Sequence, residues 1–209
     1  MDRSEVRRQL DDGLAKLSLG GHEGLAATLA DYLELLQRWN ETYNLTAVRQ
    51  PEEMVPKHVM DSLSVLPFVG GGRVLDVGTG AGLPGLVLAA ASPGQSFVLL
   101  DSSGKKTRFV EHAARRLGLD PVEVVRGRAE EYEDARGFEF VVSRAFASLE
   151  DFIAAAGHLL APDGRLVAMK GAIPEDELAE LPRGWRLLGI HRVDVPGLDG
   201  ARHVLEFGR

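Results

Sequence analysis

A chain of 209 residues without cysteine can hold neither a disulfide, nor a thiolate metal site, nor a cysteine nucleophile. It is long enough to bury about 70% of its unfolded surface without such staples. Its formal charge of −7 argues against coating nucleic acid by bulk charge alone. Residues 1–10 carry charges of both signs and no continuous apolar run, which predicts neither a secretory leader nor a membrane span and implies a cytoplasmic protein.

Apolar residues recur at helical spacing over 3–17 and again over 23–40, where Leu25, Leu29, Tyr32, Leu33, Leu36 and Trp39 make one stripe. Two amphipathic helices are predicted. Pro51 opens a third helical segment through Met54, Val55, His58 and Val59 toward Leu63. Residues 1–70 are therefore expected to be a helical extension packed on a core that spans 71–209. After Gly70-Gly71-Gly72, short β-branched runs at 74–77, 97–100, 122–125, 138–143 and 165–169 alternate with helical stretches. Such alternation predicts an α/β fold, with a parallel sheet covered on both faces. Two further runs, 185–193 and 203–207, follow each other with no helix between them and predict an antiparallel hairpin at the edge of a seven-stranded sheet.

The segment D76-V-G-T-G-A-G-L-P-G85 describes a strand that ends in a glycine turn and opens a helix. Glycines at 78, 80 and 82 remove each Cβ where the backbone must turn sharply and lie against a ligand. Pro84 suits the first helical turn. The segment G80-A-G-L-P-G85 also satisfies the loose dinucleotide fingerprint, a weak signal by itself. Asp76, two residues before the first glycine, and Asp101, closing the second strand, favour S-adenosylmethionine (SAM) over NAD. In SAM enzymes an acid at the end of the second strand holds the ribose hydroxyls. An NAD-dependent oxidoreductase would need a hydride-transfer acid or base such as Tyr-x-x-x-Lys, and neither Tyr32, Tyr43 nor Tyr132 has a lysine four residues later.

Between Asp101 and Arg128 seven Lys or Arg face four Asp or Glu, the reverse of the whole-chain balance. This is either a local basic face for nucleic acid or a solvated helix face. Trp39 and Tyr43 fit the apolar stripe and are assigned to packing, with Asn40 and Asn44 capping or bridging the turn that follows. His58 and Asp61 are three apart, a metal-like spacing with no third ligand in view, so no metal site is assigned. Phe146 suits either a core position or a platform on which a base stacks.

With W39-N-E-T-Y-N-L-T46, H58-V-M-D-S-L63, the glycine turn, D101-S-S-G-K-K106, S143-R-A-F-A-S148, K170-G171 and G200-A-R-H203 in order, the chain resembles the bacterial RsmG (GidB) family over nearly its whole length. The Leu-Pro-Gly that ends the turn and the Ser-Arg-Ala after the fourth strand are the most specific of these. The resemblance implies a Rossmann-like class I SAM-dependent methyltransferase that modifies N7 of one guanine in 16S ribosomal RNA, in the decoding region of the small subunit. It implies that Gly78 and Leu83 contact SAM, that Asp101 holds the ribose, and that Ala129 and Glu130 border the adenine. Arg144 would lie between cofactor and substrate, and with Lys170 would position the substrate. Lys105, Arg128, Lys170 and Arg202 match basic positions that would meet RNA. A monomer acting on 16S RNA or the small subunit is expected.

Guanine N7 carries a free lone pair, so methylation there needs no general base, and placement of the reactants can supply much of the barrier reduction. The ring becomes cationic as the methyl arrives, so Arg144 is expected to orient backbone phosphate, guanine O6 or the cofactor carboxylate. N7 lies on the major-groove edge, which A-form RNA hides, so the target must be looped or extruded. A SAM enzyme acting on a protein or small molecule and a non-catalytic RNA-binding module are the alternative readings.

Overall fold

Val74–Val77 (β1) and Phe97–Asp101 (β2) are buried along their whole length, as strands covered on both faces must be. With Val122–Arg126 (β3), Phe138–Ser143 (β4), Leu160–Lys170 (β5), Arg186–Val193 (β6) and Arg202–Gly208 (β7) they form one sheet of order β3-β2-β1-β4-β5-β7-β6. Strands β1 to β5 run parallel, and β7 pairs antiparallel with both β5 and β6. The computed structural model describes residues 2–144 and 146–209.

Alternation along each strand divides the core into two layers. On one face Val74, Phe97, Leu99, Val142, Val167 and Val204 share a core with α5 (Gly85–Ala91) and α6 (Gly104–Arg116), over which α2 (Leu25–Tyr43) packs, with α1 (Arg3–Lys16) against α2. On the other, Leu75, Val98, Val141, Leu166 and Phe207 pack against α7 (Leu149–Ala156). Leu10, Leu33 and Leu36, from residues 1–70, are fully enclosed in the same cluster as the strand residues. Each such leucine contributes roughly 1.5–3 kcal/mol of apolar burial. Among the described residues no helix is long and apolar enough to cross a membrane.

The third helical segment is not uniform. Pro51–Met54 (α3) is α-helical, Val55–Met60 is a π-helix, and Asp61–Leu63 (α4) returns to α-helical geometry. The wider turn changes the direction in which His58 and Asp61 leave the backbone, a displacement that helical periodicity cannot reveal. Helix α2 runs on to Tyr43 and stops at Asn44, whose φ of 48° is left-handed. Asn40 then ties the exit, its Oδ1 accepting the Thr46 N–H at 2.9 Å.

Two local expectations differ from the structure. Pro84, expected inside the first helical turn, stands at the N-cap of α5, with a cis Leu83–Pro84 peptide. Strand β5 starts five residues earlier than the apolar run at 165–169. Its register against β4 jumps from Phe138↔Leu160 to Phe140↔Arg165, so residues 161–164 bulge out, with Asp163 at φ 61°.

Candidate active site

Strand order reverses at β1, so a crevice opens beyond the carboxyl ends of β1 and β4, the place where open α/β sheets bind ligands. The glycine turn occupies it. Gly78, Gly80 and Gly82 have φ of 71°, 62° and 84°, values that side chains rarely tolerate. Gly78 and Thr79 donate backbone N–H to the Leu100 carbonyl at 2.8 and 3.1 Å, which seats the loop on β2. Gly85 has no room for more: a Cβ there would lie 2.0 Å from Leu99 Cδ2 and 2.7 Å from Asp76 Oδ2. Gly80, in contrast, faces open space, with only the Gly78 carbonyl within 4 Å, at 3.8 Å.

Asp76 holds the loop from inside. Its Oδ2 accepts the Thr79 hydroxyl at 2.7 Å and the Gly85 N–H at 2.8 Å, while its buried Oδ1 has no hydrogen-bond partner among the described residues. Complete burial pushes this carboxyl up to about 6, against the lowering effect of those two hydrogen bonds. Asp101 reaches the same loop. Its Oδ2 accepts the Gly80 N–H at 2.9 Å and its Oδ1 the Ser103 N–H at 2.8 Å. Each oxygen carries a second lone pair, so the carboxylate can also receive a pair of vicinal hydroxyls. Gly127 donates to the Asp101 carbonyl at 3.2 Å and brings the turn after β3 alongside. On that turn Arg128 is exposed, Ala129 is buried and Glu130 is exposed. Leu83 is buried beneath the loop.

At the end of β4 the Ser143 hydroxyl donates to the Val77 carbonyl at 2.8 Å, so Arg144 begins beside Gly78. Its side chain lines a cavity of about 430 Å³ whose polar wall includes Lys57, His58, Asp61, Arg144, Lys170 and Arg202. Lys170 ends β5 and Arg202 begins β7, and the antiparallel register Lys170↔His203 sets them side by side. Arg144 Nη1 donates to the Lys57 carbonyl at 3.2 Å and contacts Asp61 Oδ2 at 3.3 Å. Arg202 Nε lies 3.3 Å from Asp61 Oδ1. Lys170 Nζ donates to the Ala147 carbonyl at 3.2 Å and lies 3.7 Å from Glu177. His58 Nε2 meets the Thr46 hydroxyl at 2.8 Å. Burial, reinforced by the Arg144 charge, pushes its imidazole down to about 4, so it is neutral at pH 7.

The structure thus brings Arg144, Lys170 and Arg202 into one cavity. Lys105 lies elsewhere, donating to the Tyr43 carbonyl at 2.9 Å and tying α6 to the end of α2. Arg128, too, is outside the cavity wall. Phe146 stacks on Phe152 at 5.1 Å, against the second core layer, which is the packing reading of that residue. Trp39 packs on Phe109 at 5.6 Å, whereas Tyr43 remains 40% exposed and rests on Trp39. Asp61 and Lys57 were not singled out by sequence reasoning as members of a substrate cavity. The available signals were the motif H58-V-M-D-S-L63 and the His58-x-x-Asp61 spacing, to which no metal site was assigned; in the structure His58 meets Thr46 and Asp61 lies between two arginines.

Fold and crevice together define a class I SAM-dependent methyltransferase. Solved structures with this fold include TrmN from Thermus thermophilus (TM-score 0.56, 22% identity, covering 71% of this chain and 48% of that one). Another is an O-methyltransferase from Bacillus cereus in complex with SAH (TM-score 0.58, 20% identity, 85% and 90%). The family model for rRNA small subunit methyltransferase G, GidB, matches residues 25–205, and the chain belongs to that family. Proteins named ribosomal RNA small subunit methyltransferase G from Marinobacter nauticus and Stenotrophomonas maltophilia are 49% and 47% identical to it, covering 96% and 97% of this chain and 94% of each relative. The Aeromonas salmonicida protein of that name is 51% identical over 86% of both chains.

Proposed function

We propose that the chain transfers the methyl group of SAM to N7 of a specific guanine in 16S ribosomal RNA, in the decoding region of the small subunit. The observation that carries this reading is the position of Arg144. It leaves the sheet beside the glycine turn, its charge acts on Asp76 on the turn side and His58 on the cavity side, and its side chain lines the cavity. One crevice for a cofactor and one cavity for a base therefore share a single cation.

The residues of the turn fit SAM. In this reading Gly78 and Leu83 line the methionine part, Asp101 receives the ribose hydroxyls, and Ala129 and Glu130 border the adenine. When bound, SAM supplies an activated methyl group whose departing thioether is neutral. The chain's own work is placement, since N7 has no proton to lose and well-oriented reactants react at large effective molarity. His58, neutral and engaged by Thr46, is not needed as a base. Arg144 and Lys170 orient the target nucleotide, and Arg202, with Lys105 and Arg128 farther out, meets backbone phosphate. The enzyme acts as a cytoplasmic monomer, with residues 1–70 a helical cap on the core 71–209.

The test is labelled-methyl transfer from SAM to small subunits from a strain lacking the endogenous activity, followed by nuclease digestion and mass spectrometry. A 7-methylguanosine confined to one 16S fragment is expected. Transfer to another RNA position overturns the N7 assignment, and no transfer to RNA with SAM binding intact overturns the reading in favour of a protein or small-molecule substrate.

A further inference from the structure

Among the described residues Asp61 is the only carboxylate in the cavity wall. Its side chain is 9% exposed and stands between two guanidinium groups that arrive from different parts of the fold, Arg144 after β4 and Arg202 on β7, each at 3.3 Å. It is delivered there by the π-helical turn at Val55–Met60, an irregularity frequent at functional sites. Oδ1 is buried and makes no hydrogen bond among the described residues, so Arg202 is held by charge and not by a directed bond. A guanidinium has five N–H donors. The internal contacts of Arg144 described above use Nη1, and those of Arg202 use Nε and, toward the Ala201 carbonyl, Nη1.

We propose that Asp61 is a positioning residue for methyl transfer: its carboxylate holds Arg144 and Arg202 across the cavity so that both forks are already aimed when the nucleotide enters. The inference rests on the RNA-methylating reading above. Two cations lining one cavity repel, and each would otherwise turn toward solvent. The shared carboxylate removes that repulsion and fixes both directions at once. It also leaves the cavity less cationic than its arginines and lysines alone would make it, which suits a base that gains positive charge as it reacts.

The discriminating variant is Asp61→Asn, which preserves shape and an acceptor but removes the charge. A simple charge effect would make the cavity more positive, so RNA would bind more tightly and turnover would hold. The positioning role is read in turnover: at saturating small subunits the single-turnover rate falls at least tenfold, while KM for subunits stays level or drops. SAM affinity stays within about twofold of wild type. Asp61→Glu, which restores the charge on a longer stem, lies between the two. Combined with Arg202→Ala, the Asp61→Asn loss is at least threefold smaller than the product of the two single losses. Wild-type turnover in D61N, or losses that multiply fully, overturns the proposal. If both D61N and D61E fail to fold, the role is structural and the proposal is likewise overturned. If the wild type itself forms no 7-methylguanosine on subunits, it is the functional reading that has failed.

Discussion

The Tyr32 hydroxyl, fully buried, donates to the Ala81 carbonyl at 2.8 Å, so a helix from the first third of the chain holds the glycine turn from behind. Tyr32→Phe keeps the ring's packing and leaves that carbonyl without its partner. A loss of about 1–2 kcal/mol is expected, lowering Tm by several degrees in a domain of this size. Calorimetry should also show SAM affinity reduced several-fold. A fall in Tm with unchanged SAM binding would show that the contact supports the core and not the turn.

Gly85→Ala pushes a methyl group into Leu99 and into the carboxylate of Asp76. Both neighbours are enclosed, so the strain cannot be relieved by a flexible surface chain. Overpacking of this kind costs about 1–3 kcal/mol, and displacement of Asp76 unseats the hydrogen bonds to Thr79 and Gly85. Denaturant unfolding should report the stability loss, with SAM binding weakened at least tenfold. Gly80→Ala, where space is open but φ is positive, is expected to spare the packing and still impair the cofactor.

Asp76 and His58 titrate with opposite consequences. Burial holds the Asp76 carboxyl at about 6, above its ordinary 3.8, so the folded state favours the proton. The penalty for the buried carboxylate, up to about 3 kcal/mol, is present in full above pH 6 and is relieved as pH falls toward 3.8. His58 is held at about 4, below its ordinary 6.5, by burial and by Arg144. Its contribution is complete above pH 6.5 and is lost as pH falls toward 4. Between pH 6 and 4 the two slopes oppose each other and the wild-type profile is flattened. Asp76→Asn removes one of them. Thermal melts from pH 8 to 4 are expected to show the variant about 1–2 kcal/mol more stable at pH 8, with a steeper acid limb. An unchanged acid limb would assign the carboxyl an ordinary pKa.

Arg202 is a third exposed and reaches the cavity from β7. If it meets phosphate, Arg202→Ala weakens binding to small subunits and reduces the slope of log K against log salt by about one. Filter binding at several salt concentrations measures both. A weaker affinity with an unchanged slope would point to a contact with the base.

Much of the fold was legible because strands covered on both faces are predominantly apolar, and Val74–Val77 and Phe97–Asp101 lie where their apolar runs lie. The bulge in β5 was not legible, since residues 161–164 interrupt the apolar pattern and read as a turn preceding a strand. The π-helix was hidden for a different reason: Val55, Val59 and Leu63 are spaced as any amphipathic helix would space them. Of the cavity, the arginines and Lys170 were found through motif resemblance. Asp61 was not recognised as a cavity residue, because its significance arises from Arg144 and Arg202, 83 and 141 positions away in the chain. The hydroxyl of Tyr32 was equally hidden, counted within an apolar stripe whose pattern says nothing of a phenol's polar end.

Among the described residues strand β6 pairs only with β7, and β7, which follows it in the chain, lies between β5 and β6. During synthesis β6 therefore emerges with no strand to join, and Arg202 is not yet in place opposite Asp61. The turn and its two acids, Asp76 and Asp101, precede β6 and can close earlier. The glycine turn is thus built entirely from residues that precede the last strand of the cavity wall. Completion of the cavity waits on β7, the strand that carries Arg202 to its place opposite Asp61.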